Sequence, residues 1–461
     1  MAKTVASFVA FCAVALSSAQ LYHLTDLGTL NAGYQSWPLG INDSGQVTGL
    51  SYTNGFGTLR PFIWSGGVMS DLDPAGFGTG QGLAINGNGL TVGTEDSLGG
   101  FVGTTGSFTT IPGINGGSVT PLAINASGLV AGFMNNPGFG ATPFLFSGGN
   151  TQFLPTFGFA SLALGVNDSG AAVGYAVVGP PNNAFHAVAW SGNSISDLGT
   201  LGGAQSFGQA INNSGTIVGF SDIAGNGAFH ACSWSNGSVV DLGTLGGTNS
   251  SAQAVNSLGQ IVGYSDLPGT TSAYPNYAWP SDYPSQLGQE QGDAFITING
   301  IMKDLNSLID SSGAGYVVQS ANGISDGGQI IASALFGAFH HAVLLTPASP
   351  PTMTASSSTT TLWPPNGKTD TVTVAGQLTS AFSTIDINSG AFAVADSYGQ
   401  DQPSGTFAFA SDGSYTFTVG LVASRRGGDK AGRAYTITAS GKTLGGQTAT
   451  TSLVISVPHN Q

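Results

Sequence analysis

Apolar and polar residues alternate along short segments of this chain, and the segments recur at a nearly constant spacing. The clearest has the form apolar-Asn-x-x-Gly, followed by two apolar residues and a glycine. Six copies contain Asn42, Asn86, Asn125, Asn167, Asn212 and Asn256, and a weaker seventh covers 324–328. Asparagine folds back on its own backbone and glycine accepts a positive φ, which is typical of a tight hairpin turn. The pattern therefore predicts a short strand on each side of every turn.

Each copy has room for four strands, which we call a, b, c and d in chain order. Strand a ends at the asparagine, b follows the turn, c includes segments such as 186–190, and d ends in Asp-Leu, as at 197–198. The six asparagines are 44, 39, 42, 45 and 44 residues apart, and the next step of 69 implies an insertion at about 267–292. Four strands in roughly 43 residues is the size of a β-propeller blade.

The two ends of the repeat region complement each other. Residues 21–27 resemble a strand d with no a, b or c before them, and the last copy, which ends near 341–345, lacks a strand d. A strand from the N-terminus could therefore complete the seventh unit and leave no exposed edge. We predict an all-β chain with a seven-bladed β-propeller over 20–346 closed by its N-terminal strand. The structural alternative is an open β-solenoid built from the same repeats.

The segments outside the repeats predict a secreted chain with a second domain. Residues 1–19 combine Lys3, an apolar run and a small-residue cleavage site, which is typical of a signal peptide. The run is too short to span a membrane, and no later segment reaches the ~18 residues needed. A Pro/Ser/Thr-rich linker is expected at 347–361. Alternating segments over 362–461 predict an immunoglobulin-like β-sandwich.

Charge narrows the range of partners. Residues 20–349 contain 17 acidic side chains against only Arg60 and Lys303, whereas 350–461 contain six of each sign. So acidic a region repels phosphate backbones, which argues against nucleic acid and anionic lipid as partners. After removal of the signal only Cys232 remains, so no internal disulfide is expected.

The repeats resemble a known family. Asp-Leu-Gly-Thr-Leu-Gly-Gly at 241–247, followed by Ala-Val-Asn at 254–256 and a His-Ala strand, is similar to the bacterial extracellular HAF repeat over about 21–346. The match is weaker in the second, third and seventh copies. Residues 362–366, 432–438 and 457–461 resemble a bacterial Ig-like domain, although this copy lacks the cysteines that the family often carries. The resemblance implies an extracellular location and no assigned activity.

No residue pattern predicts catalysis, a cofactor or a metal site. The sequence has no Gly-x-Ser-x-Gly elbow. His186, His230 and His341 occupy equivalent positions and could bind zinc only if they converged. Because strand c lies away from the central channel, we expect them to lie far apart and to be structural. The aspartate of the recurrent Asp-Leu is also expected to be structural.

The insertion at 267–292 contains the candidate ligand-binding residues. Tyr274, Tyr277, Trp279 and Tyr283 fall within ten residues of a segment that joins strand b to strand c. Aromatic rings on an exposed loop could bind sugar rings or peptide side chains. The alternative is that they fold down and cap the propeller.

These observations favour a secreted, non-enzymatic binding or cell-surface protein with a polysaccharide or protein ligand. A secreted carbohydrate-active enzyme is the first alternative. Its candidate catalytic residues would be the carboxylates that do not belong to the repeat: Glu95, Asp96, Asp266, Asp282 and Glu290. Two of them would have to lie about 5–10 Å apart in a cleft. A matrix protein without a specific ligand is the third interpretation.

Overall fold

The computed structural model describes residues 22–74, 78–96, 98–114, 116–136, 140–158, 160–179, 184–272, 292–380, 385–443 and 447–459. These residues form 35 strands, and their helical content is limited to single 3-10 turns at Leu30–Ala32, Asn306–Leu308 and Ser311–Gly313. No helix in these ranges is long and apolar enough to cross a membrane. The chain divides into two compact units at Pro347 and Ala348.

The first unit contains seven four-stranded antiparallel sheets within the described ranges. The chain starts with β1 (Tyr22–Asp26), and sheet 1 follows with β2 (Ser36–Ile41), β3 (Val47–Tyr52), β4 (Leu59–Ser65) and β5 (Val68–Asp71). Sheet 2 has β6 (Gly80–Ile85), β7 (Thr91–Glu95), β8 (Gly99–Thr104) and β9 (Ser107–Thr110). Sheet 3 has β10 (Ser118–Ile124), β11 (Val130–Asn136), β12 (Gly140–Ser147) and β13 (Asn150–Phe153).

The remaining sheets of this unit follow the same order. Sheet 4 has β14 (Ser161–Val166), β15 (Ala172–Val178), β16 (Ala184–Ser191) and β17 (Ser194–Asp197). Sheet 5 has β18 (Gly202–Ile211), β19 (Ile217–Ile223), β20 (Phe229–Ser235) and β21 (Ser238–Gly243). Sheet 6 has β22 (Ser250–Val255), β23 (Ile261–Ser265), β24 (Asp293–Ile298) and β25 (Ile301–Asp304). Sheet 7 has β26 (Tyr316–Ile324), β27 (Ile330–Phe336), β28 (Phe339–Pro347) and, as its fourth strand, β1.

The seven sheets close into a ring. Each sheet packs against the next, and β2 of sheet 1 packs against β26, β27 and β28 of sheet 7. The N-terminal strand β1 pairs antiparallel with β28, with Tyr22 opposite Pro347 and Asp26 opposite Val343. The predicted closure is confirmed by this pairing, and the closed ring is the arrangement of a β-propeller rather than of an open solenoid. The seven a–b turns line a common central opening.

The asparagine of each turn joins neighbouring sheets. Its side-chain oxygen accepts backbone N–H bonds within its own turn, as Asn212 Oδ1 does from Ser214 and Thr216 at 3.1 and 2.9 Å. Its side-chain amide donates to the carbonyl of the equivalent residue in the next sheet, as Asn212 Nδ2 does to Asn256 at 2.9 Å. The same bond runs from Asn42, Asn86, Asn125, Asn167 and Asn256 at 2.9–3.2 Å. All six asparagines are at most 5% exposed.

Strand b passes very close to strand a in sheets 1 to 6. Strand a contains a β-bulge three residues before the turn asparagine, as between Gly208 and Ala210. In sheet 5 a Cβ on Gly219 of strand b would overlap the Phe207 carbonyl of strand a. Glycine occupies the equivalent position in sheets 1 to 6, which explains the glycine after the two apolar residues of the repeat.

The core lies between the sheets. One position of strand c is buried in all seven sheets. It lies directly opposite the position in strand d that the aspartate of Asp-Leu occupies. It holds Phe62, Phe101, Phe144, Val188, Cys232, Phe295 and Val343, each at most 1% exposed. Cys232 therefore occupies an apolar packing position, and burial raises the pKa of its thiol.

The second unit is a two-sheet sandwich. One sheet has the order β29 (Thr352–Ser357), β30 (Thr369–Thr379), β33 (Ser414–Val422). The other has the order β32 (Ser404–Phe407), β31 (Gly390–Asp396), β34 (Arg433–Lys442), β35 (Thr448–Val457). Side chains of both sheets form one apolar core. Tyr435 is buried in this core, and its hydroxyl donates to the Val422 carbonyl at 2.9 Å.

Two features of the sandwich were not expected from the sequence. The segment 352–357, which we assigned to the linker, forms strand β29, because Met353 and Ala355 alternate with polar residues and pack on the core. In addition, Arg433 donates two hydrogen bonds to the buried carboxylate of Asp396, at 2.9 and 2.6 Å. Arg433 holds the pKa of Asp396 well below its usual range.

The bond between turns can be separated from the turn itself by two variants. Asn212→Ser keeps an acceptor for the turn, as Ser325 does in sheet 7, but removes the donor to Asn256. We expect it to lower the free energy of unfolding by about 1–2 kcal/mol, and Asn212→Ala, which removes both, by about 2–4 kcal/mol. Urea denaturation measures both values.

Asn193→Ala, in an exposed turn of sheet 4, is the matched control and should change stability by less than about 0.5 kcal/mol. An unchanged stability of Asn212→Ser would show that the bond between neighbouring turns is dispensable.

Candidate functional site

The ring has two faces with different chemistry. The a–b turns lie on one face, which we call the turn face. Because strands alternate in direction, the b–c loops and the d–a connectors lie on the opposite face, which we call the loop face. A binding site on either face would be built from residues of several sheets.

The turn face has a shallow central opening of about 260 Å³. Asp43, Asp168 and Asp326 stand at its rim, and their carboxylates accept hydrogen bonds from neighbouring turns. Asp43 Oδ1 accepts from the Asp326 N–H at 2.7 Å, and Asp168 Oδ1 from the Ala126 N–H at 2.9 Å. Within the described residues, no group of three or more His, Cys, Asp or Glu side chains is arranged to hold a metal ion. The rim aspartates thus add further hydrogen bonds between several neighbouring sheets.

The insertion of sheet 6 contains the four residues that the sequence predicts as ligand-binding. Tyr274, Tyr277, Trp279 and Tyr283 lie outside the described residues. The strands on either side, β23 and β24, show that the insertion leaves sheet 6 on the loop face. Its described start is anchored by Asp266, whose buried carboxylate accepts from the Asn249 N–H at 3.0 Å and from the Ser272 hydroxyl at 2.5 Å.

The three equivalent histidines do not come together. Each is bound to the aspartate of its own sheet: His186 to Asp197 at 2.8 Å, His230 to Asp241 at 2.9 Å, and His341 to Asp26 at 2.8 Å. In sheet 1 Arg60 takes the place of histidine and binds Asp71 at 3.1 Å. Each pair links strand c to strand d. The fixed separation of 11 residues in sheets 1, 4 and 5 is a sequence signal for this pairing that we did not use.

In sheet 6 a second carboxylate takes the place of the histidine. Asp293 occupies the histidine position, and Asp304 keeps the aspartate position, because Phe295 pairs with Asp304 as Val188 pairs with Asp197. Burial, and then the negative charge of Asp304, raise the pKa of Asp293. Two like charges in diagonal positions on neighbouring strands oppose folding at neutral pH.

An exposed cluster of aromatic rings lies on the loop face, where sheet 7 meets sheet 1. We call it the aromatic patch: Tyr34, Tyr52, Phe56 and Phe339. Tyr34 stacks on Phe339 with centroids 5.3 Å apart, and Phe56 meets Tyr34 edge-on at 5.1 Å. Tyr34, Phe56 and Phe339 are 49%, 56% and 36% exposed, which is high for large apolar side chains that touch one another.

The backbone holds the aromatic patch in place. The b–c loop of sheet 1 is tied to the connector before β2 by N–H bonds from Tyr34 to Gly55, from Asn54 to Asn31, and from Gly55 to Ala32, at 3.0–3.1 Å. The rings are therefore presented in a fixed arrangement, which lowers the entropy cost of binding a ligand. Sequence reasoning missed the patch because Phe339 joins the others only when the ring closes.

A groove runs along the same face over sheets 1 to 3, which we call the loop-face groove. Its volume is about 590 Å³, within the usual range for small-ligand sites. Its apolar walls include Leu50, Leu59, Leu98, Ile111 and Val119, and its polar residues include Thr79, Gln81, Thr94, Glu95, Asp96, Thr110 and Thr120.

The groove exists because sheet 2 lacks the pair that a histidine or arginine of strand c forms with an aspartate of strand d in sheets 1, 4, 5 and 7. Gly99 stands at the histidine position and Thr110 at the aspartate position, since Phe101 pairs with Thr110. A Cβ added to Gly99 would meet no heavy atom within 4 Å, so the space is open. Where sheets 4, 5 and 7 have an imidazole and a carboxylate, sheet 2 has room for a ligand.

The described carboxylates that we considered for catalysis accept hydrogen bonds from other groups of the chain. Glu95 is 2% exposed, and its oxygens accept from the Gly78 and Leu98 N–H groups at 3.0 and 3.1 Å. Asp266 anchors the start of the insertion, as described above. Asp282 and Glu290 lie outside the described residues. Asp96 is exposed, and its Oδ2 accepts from the Thr79 N–H at 3.2 Å.

Comparisons with known proteins bear only on the fold. The chain matches no protein-family model and no curated protein sequence. It is similar to the solved structure of YCF48 bound to D1 peptide, with a TM-score of 0.39 and 12% identity over 71% of this chain and 94% of that one. It is also similar to the β-propeller domain of the Trilobed protease from Pyrococcus furiosus, with a TM-score of 0.29 and 8% identity over 63% of this chain and 97% of that one.

The like-charged pair of sheet 6 predicts a stabilising substitution. Asp293→Asn should raise the free energy of unfolding at neutral pH by up to about 1 kcal/mol, because it removes the repulsion from Asp304. The raised pKa means that Asp293 in the folded chain takes up a proton more readily than in the unfolded chain, so its cost appears as the pH rises through the folded-state value. The gain should therefore shrink as the pH falls towards 4.

Thermal unfolding over a pH series measures this difference. Asp293→His tests the same position by restoring the pair with Asp304 that sheets 4 and 5 contain. A loss of stability at neutral pH in both variants would show that Asp293 has a favourable role that repulsion does not describe.

Proposed function

We propose that this protein is a secreted, non-enzymatic polysaccharide-binding protein. Its seven sheets would be the blades of a HAF-repeat propeller, followed by an Ig-like domain that serves as a spacer. The single observation that carries the function is the aromatic patch. Three exposed rings in mutual contact, on a rigid backbone and on the loop face, form a site that a soluble protein has no structural reason to keep.

The chemistry of the loop face favours a polysaccharide over a protein. Flat rings of Tyr34 and Phe339, stacked at 21°, offer an apolar surface of the kind that the faces of sugar rings require. The neighbouring groove is open, elongated over three sheets and lined by hydroxyl, amide and carboxylate groups that bind hydroxyls. Protein interfaces are enriched in arginine, and Arg60, the one arginine of 20–349, is buried and engaged with Asp71.

The aromatic insertion of sheet 6 is the proposed second part of this surface. It leaves the ring on the loop face, next to sheet 7, and sheet 7 contributes Phe339 to the aromatic patch. Tyr277 and Trp279, which lie outside the described residues, are the side chains of the insertion that we propose take part in binding. The enzyme alternative is disfavoured because Glu95 and Asp266 are buried and hydrogen-bonded to the backbone.

Removal of two rings of the patch should abolish most of the affinity. We expect Tyr34→Ala/Phe56→Ala to bind polysaccharide about ten-fold more weakly, since each ring contact contributes about 0.5–1.5 kcal/mol. The measurement is depletion of residues 20–461 from suspensions of cellulose, chitin and other insoluble polysaccharides, followed by calorimetry with matching oligosaccharides. Tyr277→Ala/Trp279→Ala tests the insertion in the same assay.

Phe153→Ala is the matched control, because Phe153 is 38% exposed and lies on the outer strand of sheet 3, away from the patch. Equal losses in the control and in the patch variant would contradict a specific site. If the protein binds members of a peptide library and binds no polysaccharide, the ligand is a protein and not a polysaccharide.

A further inference from the structure

We infer that the loop-face groove binds an amine-bearing sugar unit, so that the preferred ligand is a polysaccharide of free hexosamines. This inference rests on the proposed function and specifies its substrate class. It is drawn from the polar atoms of the groove, from the sign of its charge and from the absence of the pair between strands c and d in sheet 2.

The groove presents two side-chain acceptors, and one of them lacks a donor. Gln81 Oε1 is buried and has no hydrogen-bond partner among the described residues. The other end of this amide, Nε2, donates to Thr94 Oγ1 at 3.4 Å. Asp96 lies two residues beyond Thr94, opposite Thr79, and its Oδ2 accepts from the Thr79 N–H at 3.2 Å. An unpaired buried amide oxygen is costly, so a ligand that donates to it gains affinity.

These acceptors point into one part of the groove. Gln81 pairs with Thr94, and Thr94 pairs with Gly100, so the three residues share one side of sheet 2. A Cβ on Gly100 would lie 3.0 Å from Val119 Cβ, which shows that this side faces sheet 3. Thr79 and Asp96 lie just beyond the ends of β6 and β7 and line the same groove. Gln81 therefore faces sheet 3, and Asp96 adds a carboxylate at the loop-face end of these strands.

The negative charge of the groove favours a ligand whose hydrogen-bond donor is positively charged. Glu95 and Asp96 line it, and no lysine, arginine or histidine does so among the described residues. The surrounding repeat region has 17 acidic side chains against two basic ones. Apolar walls such as Ile111 and Val119 lower the local dielectric and strengthen the attraction for a cation. An ammonium group offers three donors and a positive charge, whereas uronic acid or sulfate groups would be repelled.

Calorimetry on residues 20–461 with four oligosaccharides of equal length tests the inference. The probes are a fully deacetylated glucosamine oligomer, its N-acetylated form, a cello-oligomer and an oligogalacturonate, at a pH where the amine is charged. We expect the glucosamine oligomer to bind most tightly and the oligogalacturonate most weakly. Asp96→Asn and Gln81→Leu should each weaken binding of the glucosamine oligomer about ten-fold.

Asp43→Asn is the matched control for the loss of one negative charge. It lies on the turn face, and Asn213, at the equivalent position of sheet 5, accepts the same bond from its neighbour, so the variant should fold normally. Thermal unfolding of all three variants confirms that the fold is retained. If Asp43→Asn weakens binding as much as Asp96→Asn, the attraction is general electrostatics and the inference is wrong.

The remaining outcomes separate the two proposals. Equal affinity for the N-acetylated and deacetylated oligomers, or unchanged affinity in Asp96→Asn and Gln81→Leu, overturns the amine site. If in that case the cello-oligomer still binds and Tyr34→Ala/Phe56→Ala abolishes it, the proposed function stands without the amine site. If no polysaccharide binds at all, the proposed function fails and the inference fails with it.

Discussion

The hydrogen bond from each turn asparagine to the next turn is the interaction on which the ring depends. A four-stranded sheet cannot bury both of its faces alone, so every sheet needs a neighbour at a fixed angle. Apolar packing is not directional and does not by itself set that angle. The amide of Asn212, with its oxygen held by its own turn and its nitrogen bound to Asn256, fixes both the turn and its distance from the neighbour. Repetition of this bond in six turns defines the central opening.

Sheet 7 shows how the ring closes without this device. Its turn has Ser325, whose short side chain holds its own turn at Gln329 and does not reach sheet 1. Two other links replace the missing bond: Asp43 accepts from the Asp326 N–H, and β1 adds the fourth strand. The closing sheet therefore combines the first and last segments of the chain, which ties ring stability to the pairing of two distant pieces.

Much of the fold, and little of the site, could be predicted from the sequence. The turns, the strand order and the closing strand follow from local patterns that repeat, and local patterns are visible in one sequence. The linker was assigned wrongly at 352–357 because its prolines and serines outweighed the alternation of Met353 and Ala355. The aromatic patch could not be found in this way. Taken alone, neither Tyr34 nor Phe339 departs from the expected sequence pattern. The two rings come into contact only when sheet 7 packs against sheet 1.

The loop-face groove arises where the repeat loses a pair of charged side chains rather than where it gains residues. The pairs between strands c and d fill the loop-face edge of sheets 1, 4, 5 and 7, and each pair satisfies its own polar atoms. Replacement of the pair by Gly99 and Thr110 opens sheet 2, while the surrounding strands, held by the ring of asparagines, keep their positions. A regular scaffold can thus acquire a pocket through two small residues at a rim position, because its stability lies elsewhere. The same logic predicts that searches for function in such repeats should begin with the copies that depart most from the consensus.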